Sequence, residues 1–161
     1  MKIINSKIKD LAPLLYILLG VSMLAGIRQI ENLDSMLYMM DWMGLFLLSF
    51  GMLKLVDLKG FTEGFASYDI IAKRFKNYGY VFPFIEIALG ILYLMGYMFI
   101  LQNVLVLSIS ILGMYSAYKA IVSKTNIRCV CLGTLFHIPM TWTTFVENLA
   151  MATMIGLMLW M

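Results

Sequence analysis

Long apolar runs separated by short clusters of charge organise this chain. The first run is Leu11–Ile30, which follows the basic residues Lys2, Lys7 and Lys9. About 20 apolar residues at 1.5 Å each cross a bilayer as a helix, and Pro13 sits in the first turn, where a helix tolerates it. A polar link from Glu31-Asn32 to Asp34-Ser35 leads into a second run, Met36–Val56, interrupted by Asp41 and closed by Lys54 and Asp57. No formal charge occurs between Ile87 and Tyr118. That stretch is too long for one crossing and divides near Gly96–Asn103, giving spans at about 80–100 and 104–122. The last run, Pro139–Met161, again opens on a proline. The pattern therefore predicts five spans within a single integral membrane domain, 1–161, and no soluble domain or internal repeat.

Residues 58–78 differ in character. Lys59, Glu63, Asp69, Lys73, Arg74 and Lys76 alternate with aromatic and aliphatic residues. Phe61, Phe65, Tyr68, Ala72 and Phe75 recur at spacings of four and three, which is one face of a helix. An amphipathic helix along the membrane surface is expected here.

Composition agrees with membrane embedding. Hydrophobic residues make up 62% of the chain and charged residues 13%, with a mean hydropathy of +0.89. A soluble domain carries roughly half apolar and a quarter charged residues, and a disordered chain is poor in aromatics and aliphatics. A net charge of +3, scattered along the chain, does not make a nucleic-acid surface. The expected partner is the lipid bilayer. No small-x-small site separates the first run from a soluble remainder, so a cleavable signal peptide is not expected.

Basic residues orient the spans. They cluster at the N-terminus, in the second connection (Lys59, Lys73, Arg74, Lys76) and in the fourth (Lys119, Lys124, Arg128). The third connection, at Gln102-Asn103, has none. Five alternating spans put all three clusters on one face, which the positive-inside rule makes cytoplasmic. The expectation is a multi-pass membrane protein with its N-terminus cytoplasmic and its C-terminus on the opposite side.

Two groups of residues could carry chemistry. Cys129-Val130-Cys131 offers two thiols that can cycle between dithiol and disulfide or chelate a soft metal ion; they could equally be small packing residues. Arg128 beside them would lower a thiol pKa. His137 and Met140 extend a soft-metal ligand set, Cys129, Cys131, His137 and Met140, suited to Cu(I). The 15 methionines fit flexible packing in a bundle better than a metal pathway. The second group is the intramembrane acids Glu86 and Glu147, with Lys54 the natural partner of Glu86. Charge at membrane depth is costly and faces the bundle interior or a partner, as a functional group or as a clasp between helices. Asp41, nearer the opposite interface, is expected to snorkel to water.

An ordered series runs through Phe50-Gly51-Met52-Leu53-Lys54-Leu55-Val56-Asp57-Leu58-Lys59-Gly60-Phe61, Tyr68-Asp69 and Pro83-Phe84-x-Glu86-x3-Gly90. It continues through Cys129-x-Cys131-Leu132-Gly133-Thr134 and Pro139-Met140-Thr141. With this series the chain resembles the MauE branch of the DoxX-like, redox-associated membrane proteins over roughly residues 42–161. The resemblance implies an all-α membrane bundle with a four-helix core, to which Leu11–Ile30 adds an extra N-terminal span. It implies the bacterial inner membrane, and so a periplasmic C-terminus. It also implies a role like that of the methylamine-utilisation protein, which supports disulfide formation in a periplasmic dehydrogenase subunit. Relatives with the Cys-x-Cys-Leu-Gly motif that carry a heavy-metal-associated domain imply soft-metal handling instead.

The leading expectation is thus an accessory membrane protein using Cys129 and Cys131 in thiol exchange with a redox partner protein, with Glu86 and Lys54 shaping or gating a polar interior. It requires no cofactor. The alternatives are a binding or transport component for copper, mercury or a similar soft metal, working with a metal-handling partner, and a structural scaffold subunit. No nucleophile–base pair or cofactor fingerprint is present, so catalysis by the chain alone stays open, as does assembly into a homo-oligomer.

Overall fold

A computed structural model describes residues 2–30, 34–96, 99–122 and 140–160. Among these residues the secondary structure is entirely helical: α1 Lys2–Arg28, α2 Ser35–Val56, α3 Leu58–Tyr68, α4 Ile70–Arg74, α5 Lys76–Met95, α6 Phe99–Val122 and α7 Met140–Trp160. By length and composition three helices can cross a membrane: Ser35–Val56, Asn77–Met95 and Ile100–Val122. Two further apolar helical stretches, Leu15–Arg28 and Phe145–Trp160, are shorter. Large side chains such as Ile100, Leu101, Tyr115 and Trp160 lie exposed on the outside of the bundle. An apolar exterior of this extent belongs in lipid.

Short aspartates set the corners. Asp34 caps α2 by accepting from the Met36 N–H at 2.9 Å. Asp57 ends α2 and starts α3, accepting from the Gly60 N–H at 2.9 Å. Asp69 divides the amphipathic segment, its Oδ1 accepting from the N–H groups of Ile71 and Ala72. Each cap of this kind stabilises a helix start by about 1 kcal/mol. The expected single face is therefore carried by two helices. Phe61, Phe65 and Ala72 are buried, whereas Phe75 falls in the break before α5 and is 63% exposed.

α5 ends at Gly96, whose φ of 70° is left-handed and suits glycine. Because the break comes there, α6 starts at Phe99, and Gln102 and Asn103 lie inside the helix rather than in the connection. Polarity alone had pointed to a loop at these two residues; both are in fact buried.

α2 packs most extensively on α5, α6 on α7, and α1 on α2. The α2–α5 crossing is made at glycines. A Cβ on Gly44 would lie 2.9 Å from the Gly90 carbonyl oxygen, and one on Gly90 equally close to that of Gly44. Further along, a Cβ on Gly51 would lie 2.7 Å from Ile87 Cγ1. The pairings 44 with 90 and 51 with 87 make the two helices antiparallel. Close backbone approach of this sort is how helices associate in lipid, where no hydrophobic gain drives them together.

Asp41 does not reach water. It is 5% exposed and accepts from Gln29 Nε2 at 2.8 Å, with Arg28 Nε at 3.5 Å. Arg28, the last residue of α1, and Gln29 just after it supply the partners that solvent would have offered. Trp42 Nε1 adds a second tie by donating to Ser22 Oγ at 3.0 Å.

Gly90→Leu should lower the thermal stability of the detergent-solubilised protein by about 1–3 kcal/mol, the usual cost of overpacking. Gly26→Ala, where an added Cβ meets nothing within 4 Å, should leave stability unchanged or raise it slightly.

A candidate polar cavity between the helices

Lys54 lies in the last turn of α2 and Glu86 in the middle of α5. The antiparallel α2–α5 pairing that puts Gly51 beside Ile87 also brings these side chains together. Both are buried, and the Lys54 ammonium donates to Glu86 Oε1 in an ion pair. Breaking such a pair is expensive, because the surviving charge cannot be hydrated.

Aromatic rings from α3 and α5 complete the surroundings of the lysine. Lys54 Nζ lies 5.6 Å from the Phe61 ring centroid and 5.0 Å from that of Phe82. A desolvated cation over a ring gains about 2 kcal/mol or more. Phe65 stacks against Phe61 at 5.1 Å and leans on Phe82 at 4.9 Å, while Tyr78 meets Phe82 edge-on at 5.7 Å. The aromatic face of α3 is thus turned inward over the ion pair. Gly79 admits α3 here, since a Cβ on it would lie 2.8 Å from Thr62 Cγ2.

The pair opens on a cavity of about 40 Å³, enough for a few water molecules. Its polar lining is Lys54, Glu86, Asp69, Tyr78, Glu147 and Asn148; Phe61, Phe65, Phe82, Ile109, Leu112 and Met151 supply the apolar part. Asp69 is held in place from two sides, by the start of α4 and by Ser116 Oγ of α6, which donates to its Oδ2 at 3.3 Å. Glu147 and Asn148 come from the second turn of α7, which packs on α6 where Gly113 leaves room for the Asn148 amide. Among the described residues, six of the seven helices, α2 to α7, contribute to the lining, and α1 does not.

Chemically, this is one lysine and three carboxylates around a small space with room for water. Such a lining can order water, hold a proton and pass it between carboxylates. Among the described residues no group of three or more His, Cys, Asp or Glu is placed to hold a metal ion.

The three intramembrane residues singled out by the sequence, Lys54, Glu86 and Glu147, meet in this one cavity. Cys129, Cys131 and His137 lie outside the described residues. Met140 is the first residue of α7, but its side chain lies outside the described part too. Sequence reasoning missed Asp69, Tyr78, Asn148, Ser116 and the Phe61–Phe65–Phe82 cluster as parts of the site. A signal for Asp69 was present: an aspartate followed by Ile-Ile-Ala within a broken amphipathic pattern reads as a helix cap.

Helices of this length and polarity, with an ion pair sealed between them, define a multi-pass α-helical membrane protein. Residues 11–161 match the family of the methylamine utilisation protein MauE, and the chain belongs to the MauE family. Neither the curated proteins nor the solved structures contain a match.

Lys54→Met and Glu86→Gln should each destabilise the protein by about 3–5 kcal/mol, the cost of leaving one buried charge alone. The double variant should be much less destabilised than the sum of the singles. Denaturation of all four proteins in detergent gives the coupling directly.

Proposed function

We propose that this protein is an accessory protein of the bacterial inner membrane that carries out thiol–disulfide exchange with a partner protein through Cys129 and Cys131. The observation that carries the proposal is where the cysteine segment joins the bundle. Residues 123–139 connect Val122 of α6 to Met140 of α7, and those two ends flank the turns of α6 and α7 that line the cavity. The two helix ends that bear the cysteine segment thus lie toward the end of the bundle that holds Lys54, Glu86, Asp69 and Glu147, which supports a role for the pair near it. Membership of the MauE family supports an accessory role of the methylamine-utilisation kind.

The same end carries Lys59, Lys73, Arg74 and Lys119, while the α5–α6 connection carries no Lys or Arg. By the charge rule the cavity end is cytoplasmic, and five crossings by α1, α2, α5, α6 and α7 leave the C-terminus in the periplasm. In a reducing compartment the pair rests as a dithiol. One thiolate attacks a partner disulfide, breaking its S–S bond and forming a mixed disulfide. The second cysteine then displaces the partner sulfur, so the pair leaves as a disulfide and the partner as a dithiol. Two electrons pass to the partner, and the protons exchange with solvent or with the carboxylates of the cavity.

Two measurements test this. A reporter fused after Met161 should be periplasmic and one placed within residues 123–128 cytoplasmic; a common side for both would break the five-crossing arrangement. Replacing one cysteine, as in Cys131→Ser, should trap a mixed disulfide with a partner, visible on non-reducing gels and lost on reduction. A reduced protein that instead retains about one Cu(I) or Zn(II) per chain through both thiolates, with affinity falling as pH drops, would assign the pair to metal handling. If single serine variants change neither partner capture nor metal content, the thiols are packing residues and the proposal fails.

A further inference from the structure

A second polar cluster is buried two helical turns away from the cavity. The Tyr93 hydroxyl of α5 donates to Asn103 Oδ1 of α6. Beside it, Gln102 is 1% exposed, as are Asn103 and Tyr93. Neither amide atom of Gln102 has a hydrogen-bond partner among the described residues, and Asn103 Nδ2 has none either. Exchanging the oxygen and nitrogen of Asn103 would reverse the tyrosine bond and still leave one of its polar atoms unmatched. Three polar atoms without partners on two consecutive residues are rare in a native interior, where buried polar groups are almost always satisfied. In a membrane-spanning bundle, stranding them costs more still.

The cluster is separate from the cavity. Glu86 and Tyr93 are seven residues apart on α5, about 10 Å along its axis, and Ile109 and Asn103 are six apart on α6, about 9 Å. Leu89 and Val106, both buried, lie at intermediate positions, and none of Tyr93, Gln102 and Asn103 lines the cavity.

The surroundings define what can sit there. From Ile87 to Tyr118 neither helix carries a formal charge, so an ion would be uncompensated. The near-complete burial of all three side chains restricts any occupant to something small. The free atoms comprise two amide donors and one carbonyl acceptor, a set that a molecule able both to accept and to donate would satisfy. We propose that Gln102, Asn103 and Tyr93 form an internal binding site for ordered water, on the side of the bundle where α5 turns into α6. Water needs two to four polar partners in such a site, and these side chains offer them. The site thus gives this half of the bundle its own hydrated step, distinct from the charged cavity, and it stands whether or not the cysteine pair exchanges thiols.

Hydroxyl-radical labelling by pulsed radiolysis of the full-length protein in lipid nanodiscs tests it, because radicals form on bound water and modify the side chains touching it. Tyr93 should be oxidised several-fold faster than Phe46 and Phe50, which are equally buried but lie in apolar surroundings. Gln102→Met should reduce that labelling while leaving thermal stability unchanged or higher, since an apolar side chain no longer needs a partner. Labelling of Tyr93 as slow as that of the two phenylalanines would overturn the proposal, and this wild-type comparison decides even if the variant fails to fold. Undiminished labelling in a folded Gln102→Met protein would also overturn it. So would an organic molecule retained by the wild type in native mass spectrometry and lost from the variant.

Discussion

A lysine and a glutamate cannot both be carried into an apolar bundle unless they meet there, and the rest of the structure follows from how Lys54 and Glu86 do so. Isolated in lipid, either charge would cost several kcal/mol even after relaxation. Their pairing requires α2 and α5 to lie antiparallel, in one register and at close range. Glycines at 44, 51 and 90 permit that approach, because side chains there would strike the opposing backbone or Ile87. The register that seats Gly44 on Gly90 is the one that brings Lys54 to Glu86. Backbone packing and charge pairing therefore specify the same crossing, and neither would be satisfied after a slip of one residue.

The amphipathic segment between these two helices serves the pair as a cover. Asp57 and Asp69 fold it into two short helices by capping each start, and its phenylalanines turn inward over the ammonium. Rings satisfy a cation without adding another hydrogen-bonding group that would itself need a partner. Asp69 serves local and long-range ends with one side chain, since Oδ1 starts α4 while Oδ2 receives Ser116 of α6. On the far side of α2, Asp41 shows the same economy of partners. Arg28 and Gln29 at the end of α1 neutralise and bond it, which docks α1 to a helix that otherwise presents an apolar flank.

A small, carboxylate-rich space enclosed by six helices, with room for a few water molecules, is suited to handling protons rather than to binding a large substrate. That fits the accessory role proposed above, in which the electron chemistry would lie with Cys129 and Cys131. Thiol exchange changes the protonation of sulfur at each step, and in that proposed reading the carboxylates of the cavity would offer a place for those protons.

The length of the apolar runs and the composition determined the class, an all-α multi-pass membrane protein, because spans in lipid must be long, apolar and internally hydrogen-bonded. They also marked Lys54, Glu86 and Glu147 as interior, since intramembrane charge has few other places to go. The series of residues from Phe50 to Thr141 was specific enough to indicate the MauE family. Tertiary structure decided what depends on who sits opposite whom. Asp41 reads from sequence as a residue reaching for water, but two side chains at the end of α1 replace the water. Gln102 and Asn103 read as a loop, yet a left-handed glycine six residues before Gln102 ends the helix earlier and leaves both amides inside. Asp69, Tyr78 and Asn148 join the cavity only because α4, α5 and α7 converge on it, a convergence set by contacts between residues far apart in the chain, on which a local pattern of polar and apolar positions carries no information.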